Sequence, residues 1–226
     1  MPTGLEAGKS AGVVVWDVPT RLFHWTLVVL IALSWISADR GLMKLHLWSG
    51  SAMLTLLIFR VSWGFLGSTT ARFSDFVAGP ARVIGYFRGM ARGHTRPHAG
   101  HNPAGGWMVL VMLMLLLLQA CTGLFSNDGL HFNGPLANEV SAEMSDRLTV
   151  LHGNVFNFIL LMVWVHVVAV LFYYFVGGEN LIAPMVHGKK PRAALPSALD
   201  LKISRLPAAL LCLAVAAGLV WWIVRP

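Results

Sequence analysis

Five long apolar runs alternate with polar stretches along this chain, at about residues 19–38, 45–66, 105–126, 148–176 and 206–224. Each can cross about 30 Å of hydrocarbon as a helix rising about 1.5 Å per residue. The third and fourth runs hold no Asp, Glu, Lys or Arg, and the second holds only Arg60, near its far end. Pro19 suits a first helical turn and follows Asp17, a good capping residue. The last run ends in Trp221 and Trp222, a pair at home in the interfacial aromatic belt. The pattern predicts an all-α integral membrane protein with five spans, and no internal repeat of 20–50 residues is evident. Residues 1–12 read as a short polar tail with no cleavable signal.

Composition agrees with the pattern: 56% of the 226 residues are hydrophobic and 12% charged, outside the usual range for a soluble domain. Cys121 and Cys212 both lie in apolar runs, against a disulfide framework or a thiolate metal site. A formal charge of +7 would suit nucleic acid, but its placement says otherwise. The polar stretch between the second and third spans carries Arg72, Arg82, Arg88, Arg92 and Arg96 against Asp75. That between the fourth and fifth carries Lys189, Lys190, Arg192, Lys202 and Arg205 against Glu179 and Asp200. The connection from the third to the fourth holds Asp128, Glu139, Glu143 and Asp146 with only Arg147. The positive-inside rule then places the N-terminus in the cytoplasm and the C-terminus outside, with lipid rather than nucleic acid as the surrounding partner.

Four histidines lie within or at the mouths of these spans: His24, His46, His152 and His166. An ionisable side chain in a span is costly to bury and is a functional candidate by default. His152 and His166 are 14 residues apart on one uncharged run, about 21 Å and close to four whole turns, so both face the same way near opposite membrane surfaces. By the predicted topology His46 and His152 share the outer depth, and His24 and His166 the inner. The expectation is two bis-histidine b-type haems, the outer on His46/His152 and the inner on His24/His166. No C-x-x-C-H stretch exists to attach a haem covalently. The simpler alternative for any one histidine is an interhelical hydrogen bond. Gly50 and Gly153, beside the outer pair, are small enough to admit the edge of a macrocycle.

Residues Val15-Trp16-Asp17-Val18-Pro19-Thr20-Arg21-Leu22-Phe23-His24-Trp25 resemble the opening of the bacterial cytochrome b561 and hydrogenase b-type cytochrome superfamily. So do Leu45-His46-Leu47-Trp48-Ser49-Gly50, Phe59-Arg60-Val61-Ser62-Trp63-Gly64 and Gly100-His101-Asn102-Pro103-Ala104-Gly105-Gly106-Trp107, the last closer to the b561-domain branch. The resemblance covers most of residues 13–188. It implies a four-helix dihaem domain there, with ligands at His24, His46, His152 and His166 in a bacterial inner membrane. It also implies electron exchange with quinone and a redox partner at the periplasmic face. Residues 189–226, a basic linker and a fifth transmembrane helix, exceed the minimal plan, and either homo- or hetero-oligomeric assembly is compatible with it.

Two arginines are candidates for the anionic propionates of the inner haem, because a guanidinium pairs with carboxylates bidentately. Arg21 lies three residues before His24; Arg60 lies 14 after His46, at the inner depth, and would equally suit a lipid phosphate. His94, His98 and His101 cluster in the basic loop without a cysteine or a close carboxylate and read as loop histidines, with the family pattern making His101 structural or propionate-adjacent. His131 and His187 are not expected as ligands. Residues 80–90 read as a short amphipathic helix on the inner surface, with Val83, Ile84, Phe87 and Met90 as its apolar stripe. The acidic loop 127–147 suits a cationic c-type cytochrome. The function expected is electron transfer between quinone and a periplasmic carrier. The alternatives are a superoxide:quinone oxidoreductase and a haem-containing membrane anchor for a peripheral oxidoreductase such as a hydrogenase. A proton-coupled transporter would want broken helices or intramembrane carboxylates, which the spans lack.

Overall fold

In the computed structural model, residues 12–93, 98–196 and 200–225 are described; the tail before residue 12, His94 and Arg96 lie outside them. Five helices are long and apolar enough to cross a membrane: α1 (Val18–Asp39), α2 (Met43–Leu66), α5 (Pro103–Leu124), α6 (Ala142–Phe175) and α8 (Leu206–Val224). The shorter α3 (Phe73–Phe76), α4 (Pro80–Ala91) and α7 (Ile182–His187) lie in the connections. The chain is therefore an all-α, multi-pass membrane protein. The spans match the apolar runs closely, except that α6 begins six residues earlier than its run. Ser141 explains this: its hydroxyl accepts from the Met144 backbone N–H and caps a polar first turn.

Helix α2 is the hub, packing against α1, α5 and α8, while α5 pairs with α6. Its Leu57 and Trp63 are fully buried, and Leu116 of α5 and Ile159 of α6 meet the same core. Helix α8 presents Ala209, Ala216 and Val220 as its buried stripe. Small residues at that spacing let two backbones approach closely where lipid offers no hydrophobic drive for association. The α6–α8 connection returns to the C-terminal end of α2, where Ser204 N–H donates to Ser68 Oγ at 2.9 Å and Ser204 Oγ donates to Leu66 O at 3.1 Å. The two basic connections thus share one end of the bundle, and the acidic connection lies at the other. These are called the basic end and the acidic end below.

A polar clasp closes the basic end. Strand β1 (Gly12–Val14) pairs antiparallel with β2 (Lys189–Pro191), so the junction of tail and four-helix domain forms a small sheet with residues read from the sequence as linker. Val15 and Trp16 N–H groups both donate to Gly188 O, at 2.8 and 3.1 Å. Gly188 has φ +87°, and a Cβ there would meet Trp16 O at 2.9 Å, so this turn admits only glycine without strain. Asp17 is buried and holds the start of α1 to α2: Oδ1 accepts from Thr20 N–H at 2.8 Å and Oδ2 from Trp63 Nε1–H at 3.0 Å. Asp17→Ala removes a cap worth about 1 kcal/mol and orphans a buried indole N–H, costing about 1–3 kcal/mol more. A lowered thermal unfolding midpoint in detergent, with Asp17→Asn intermediate, is the expected result.

The amphipathic helix expected near residue 80 is α4, but its apolar positions divide. Val83 and Met90 turn toward the protein, whereas Ile84 and Phe87 are 51% and 49% exposed. The cause is a polar anchor on the inward side, where the Tyr86 and Tyr173 hydroxyls hydrogen-bond and Asn102 Nδ2 donates to Tyr173 Oη at 3.1 Å. Burial, helped by Tyr173, raises the Tyr86 phenol above its ordinary pKa.

Candidate haem-binding sites

The four spanning histidines come together as two facing pairs, one at each end of the bundle. His46 of α2 faces His152 of α6 with ring centroids 6.1 Å apart and planes at 85°. His24 of α1 faces His166 of α6 at 6.4 Å and 56°. Helix α6 does not pack closely along α1 or α2, so each pair bridges a gap. These separations are too long for a hydrogen bond between the two rings. They suit a shared ion: two imidazoles bound from opposite sides at about 2 Å place their centroids about 6.4 Å apart.

At the acidic end, the second ring nitrogen of each histidine is held by a carbonyl. His46 Nδ1 donates to Ser34 O at 2.9 Å, and His152 Nδ1 donates to Gln119 O at 2.9 Å. A carbonyl only accepts, so both Nδ1 atoms carry the proton and both Nε2 atoms keep a lone pair. Ser34 Oγ and Thr122 Oγ1 stand beside the same nitrogens at 3.3 and 3.2 Å. Gln119 Nε2 lies 3.0 Å from His152 Nε2 and must turn away if that lone pair takes a metal. Between the rings opens a cavity of about 320 Å³, flanked by Trp35, Phe156, Gly50 and Gly153. Around both glycines a Cβ would meet nothing within 4 Å, the cradle expected of residues that admit a flat macrocycle. Gly123 has the opposite role: a Cβ would come within 2.9 Å of His152 Cε1, so only glycine leaves the ring its place.

Among the described residues no three His, Cys, Asp or Glu side chains converge. A metal held wholly by protein is thus poorly served. Two opposed imidazoles suit a porphyrin, which brings its own four equatorial nitrogens, and the residues present fit that group.

The basic end is built differently. His24 Nδ1 is shut from solvent and has no hydrogen-bond partner among the described residues, and the same holds for Thr20 Oγ1, Arg21 Nε, Arg60 Nη1 and His101 Nδ1. Arg60 is 2% exposed, and its guanidinium lies over the rings of Phe73 and Phe76 at 5.4 and 5.9 Å. Asp17, the carboxylate within its electrostatic reach, is already engaged by Thr20 and Trp63. Arg21 is only partly free, since Nη1 donates to Val186 O at 2.5 Å. His101, which the family pattern sets apart from the other loop histidines, packs its ring against Trp16 and Phe76 at 4.8 and 4.7 Å. Burial, then the nearby Arg60 charge, pushes it down to about 3 and keeps it neutral. His98 lies near the Tyr86 ring at 5.8 Å. Lys190 is buried, with Nζ on Glu179 Oε1 at 2.8 Å.

His131 and His187 are exposed. His131 belongs to a loop ordered by Asp128, whose Oδ1 accepts from the N–H groups of Leu130, His131 and Phe132 at 2.8, 2.9 and 2.9 Å. These bonds, that of Phe132 foremost, hold the Asp128 carboxyl below its usual range.

Sequence reasoning missed Ser34, Gln119, Thr122 and Gly123. One signal was present: Gln119 is the only carboxamide in α5, and a polar side chain in such a span calls for a partner. No signal pointed to Ser34.

No curated protein matches the chain at a significant level. A family model described as prokaryotic cytochrome b561 matches residues 15–188, a stretch that spans all four paired histidines and stops short of α8. The chain belongs to the prokaryotic cytochrome b561 family, membrane cytochromes b that bind haem and transfer electrons.

Proposed function

We propose that the chain holds two b-type haems and carries electrons across the bilayer between the quinone pool and a one-electron partner at the acidic end, with a cationic c-type cytochrome as the fitting class. The observation that carries this reading is the two facing imidazole pairs, 6.1 and 6.4 Å apart, at opposite ends of one bundle. His46 and His152 would hold one haem, His24 and His166 the other; when bound, the group supplies a one-electron couple at each site.

The chain's own residues prepare each site. Ser34 and Gln119 carbonyls set the tautomer and plane of the acidic-end rings, which keeps their Nε2 lone pairs aimed at the gap. At the basic end Arg60 is the stronger candidate for a propionate, because its buried guanidinium has no carboxylate of its own among the described residues, whereas Arg21 is partly spent on Val186. Charge asymmetry supports an orientation with the basic end in the cytoplasm and the C-terminus in the periplasm of a bacterial inner membrane. It also leaves the acidic loop 127–147 facing an aqueous partner.

The test is the reduced-minus-oxidised spectrum and pyridine haemochrome stoichiometry of the detergent-purified chain. Two haems b per polypeptide, both low-spin, are expected. One would make one pair structural and favour a membrane-anchor role; none in a folded preparation would sink the reading.

A further inference from the structure

The two histidine pairs are held by different means. At the acidic end each ring is fixed through Nδ1 to a backbone carbonyl on a helix other than its own, His46 of α2 to Ser34 of α1 and His152 of α6 to Gln119 of α5. At the basic end His24 Nδ1 has no such partner among the described residues. Helix α6, which carries His166, does not pack closely along α1, which carries His24. Something other than helix packing has to set the spacing and tilt of these two rings.

The chain that follows α6 supplies it. It returns through α7 and β2 and turns three carbonyls toward the start of α1. Gly188 O accepts from the N–H groups of Val15 and Trp16, Val186 O from Arg21 Nη1 at 2.5 Å, and Met185 O from Trp25 Nε1–H at 3.1 Å. Arg21 and Trp25 are four residues apart, so one face of α1 grips the end of α7 over a full turn. Lys190 Nζ donates to Glu179 Oε1 at 2.8 Å and to His98 O at 3.1 Å, which ties β2 back to the segment just beyond α6. The last link is aromatic. The Trp25 indole stands edge-on to the His24 imidazole, with centroids 4.9 Å apart and planes at 88°, a contact whose preferred geometry orients the ring it touches.

We propose that Trp25 is a positioning residue for His24, and that the α7–β2 return, closed at Gly188, holds it in place. The inference rests on the two-haem reading above and adds what aims the basic-end ligand. It gives the short sheet a role, since β1 and β2 join α1 to α6 where the two helices themselves do not. An indole near a helix end also suits the membrane interface, but that role alone would move neither haem.

The test is the ferric EPR spectrum of the purified full-length holoprotein, together with haem retention against an excess of a scavenging apoglobin. Each site's signal is assigned by its loss in His166→Ala or His46→Ala. The g values of a low-spin ferric haem follow the mutual tilt of its two imidazole planes. Trp25→Leu removes both the ring edge and the bond to Met185. It should shift the basic-end signal and weaken haem retention there about 10–100-fold, leaving the acidic-end site as in wild type. Trp25→Phe keeps an edge and loses only the bond, and should fall between Trp25→Leu and wild type. Gly188→Ala should shift the same signal, because its Cβ would meet Trp16 O at 2.9 Å and Arg21 Nε at 3.2 Å. Where either of the harsher variants fails to fold, Trp25→Phe decides alone. A Trp25→Leu, or in its place a Trp25→Phe, with both signals and both retentions as in wild type would overturn the inference. Equal weakening of both sites, or weakening confined to the acidic end, would do the same. In those cases a wild-type count of two haems leaves the paired-histidine reading standing. A count below two overturns both.

Discussion

His166→Ala is expected to purify with one haem b per chain in place of two, losing the basic-end haem and keeping the acidic-end one; His46→Ala is expected to do the reverse. The effect should be close to all-or-none at each site. No cysteine motif tethers a macrocycle to this chain, so ligation and packing alone would hold it, and removing one imidazole of a facing pair would leave it a single protein ligand. The two losses should also be independent, because the pairs lie at opposite ends of α6, 14 residues apart between His152 and His166. Pyridine haemochrome stoichiometry with the reduced spectrum is the measurement. His131→Ala and His187→Ala serve as controls, since both residues are exposed, and should keep two haems. Either ligand variant retaining two low-spin haems would show the pairing to be wrong.

Gly123→Ala should act on one site through shape alone. The added methyl carbon would stand 2.9 Å from His152 Cε1 and 3.3 Å from its Nδ1, too close for either atom to remain. The ring cannot swing freely away, because Nδ1 is bonded to Gln119 O, one turn earlier on the same helix as the new methyl. Moving the ring breaks that bond and misdirects the lone pair on Nε2. Loss of such an orienting contact typically weakens metal binding about 10–100-fold. Haem titration into the apoprotein should therefore show one weakened and one unchanged site. Gly218→Ala on α8, where a Cβ meets nothing within 4 Å, should leave both unchanged. Two equally tight sites in Gly123→Ala would refute the steric role of this position.

The spans were legible because the signal for them is local. A run of apolar residues of sufficient length has one low-energy solution in lipid, a helix that satisfies its own backbone. Its start shows in a capping residue such as Asp17, which accepts a hydrogen bond from the residue three positions on. The register of His152 against His166 follows from helical pitch, and the charges of the connections sort them into two ends. The clasp at the basic end was not legible in this way. Its strands lie about 175 residues apart and are three residues each, too short for alternation to show. The surroundings of His101 were not legible for a related reason: Trp16 and Phe76, against which its ring packs, come from elsewhere in the chain.

The sequence by itself determined five membrane-spanning helices, most of their boundaries to within a few residues, and the shared face of His152 and His166 on one helix, since each of these depends on the chain's own pitch and hydrophobicity. Only the tertiary structure decided which nitrogen of His46 and His152 carries the proton, that Gly123 leaves room for the His152 ring, and that the buried Arg60 has no carboxylate of its own among the described residues. Those properties arise between segments far apart in the chain. A hydrogen bond from His152 to Gln119, 33 residues away, exists only once α5 and α6 have packed, and no periodicity within either helix encodes it.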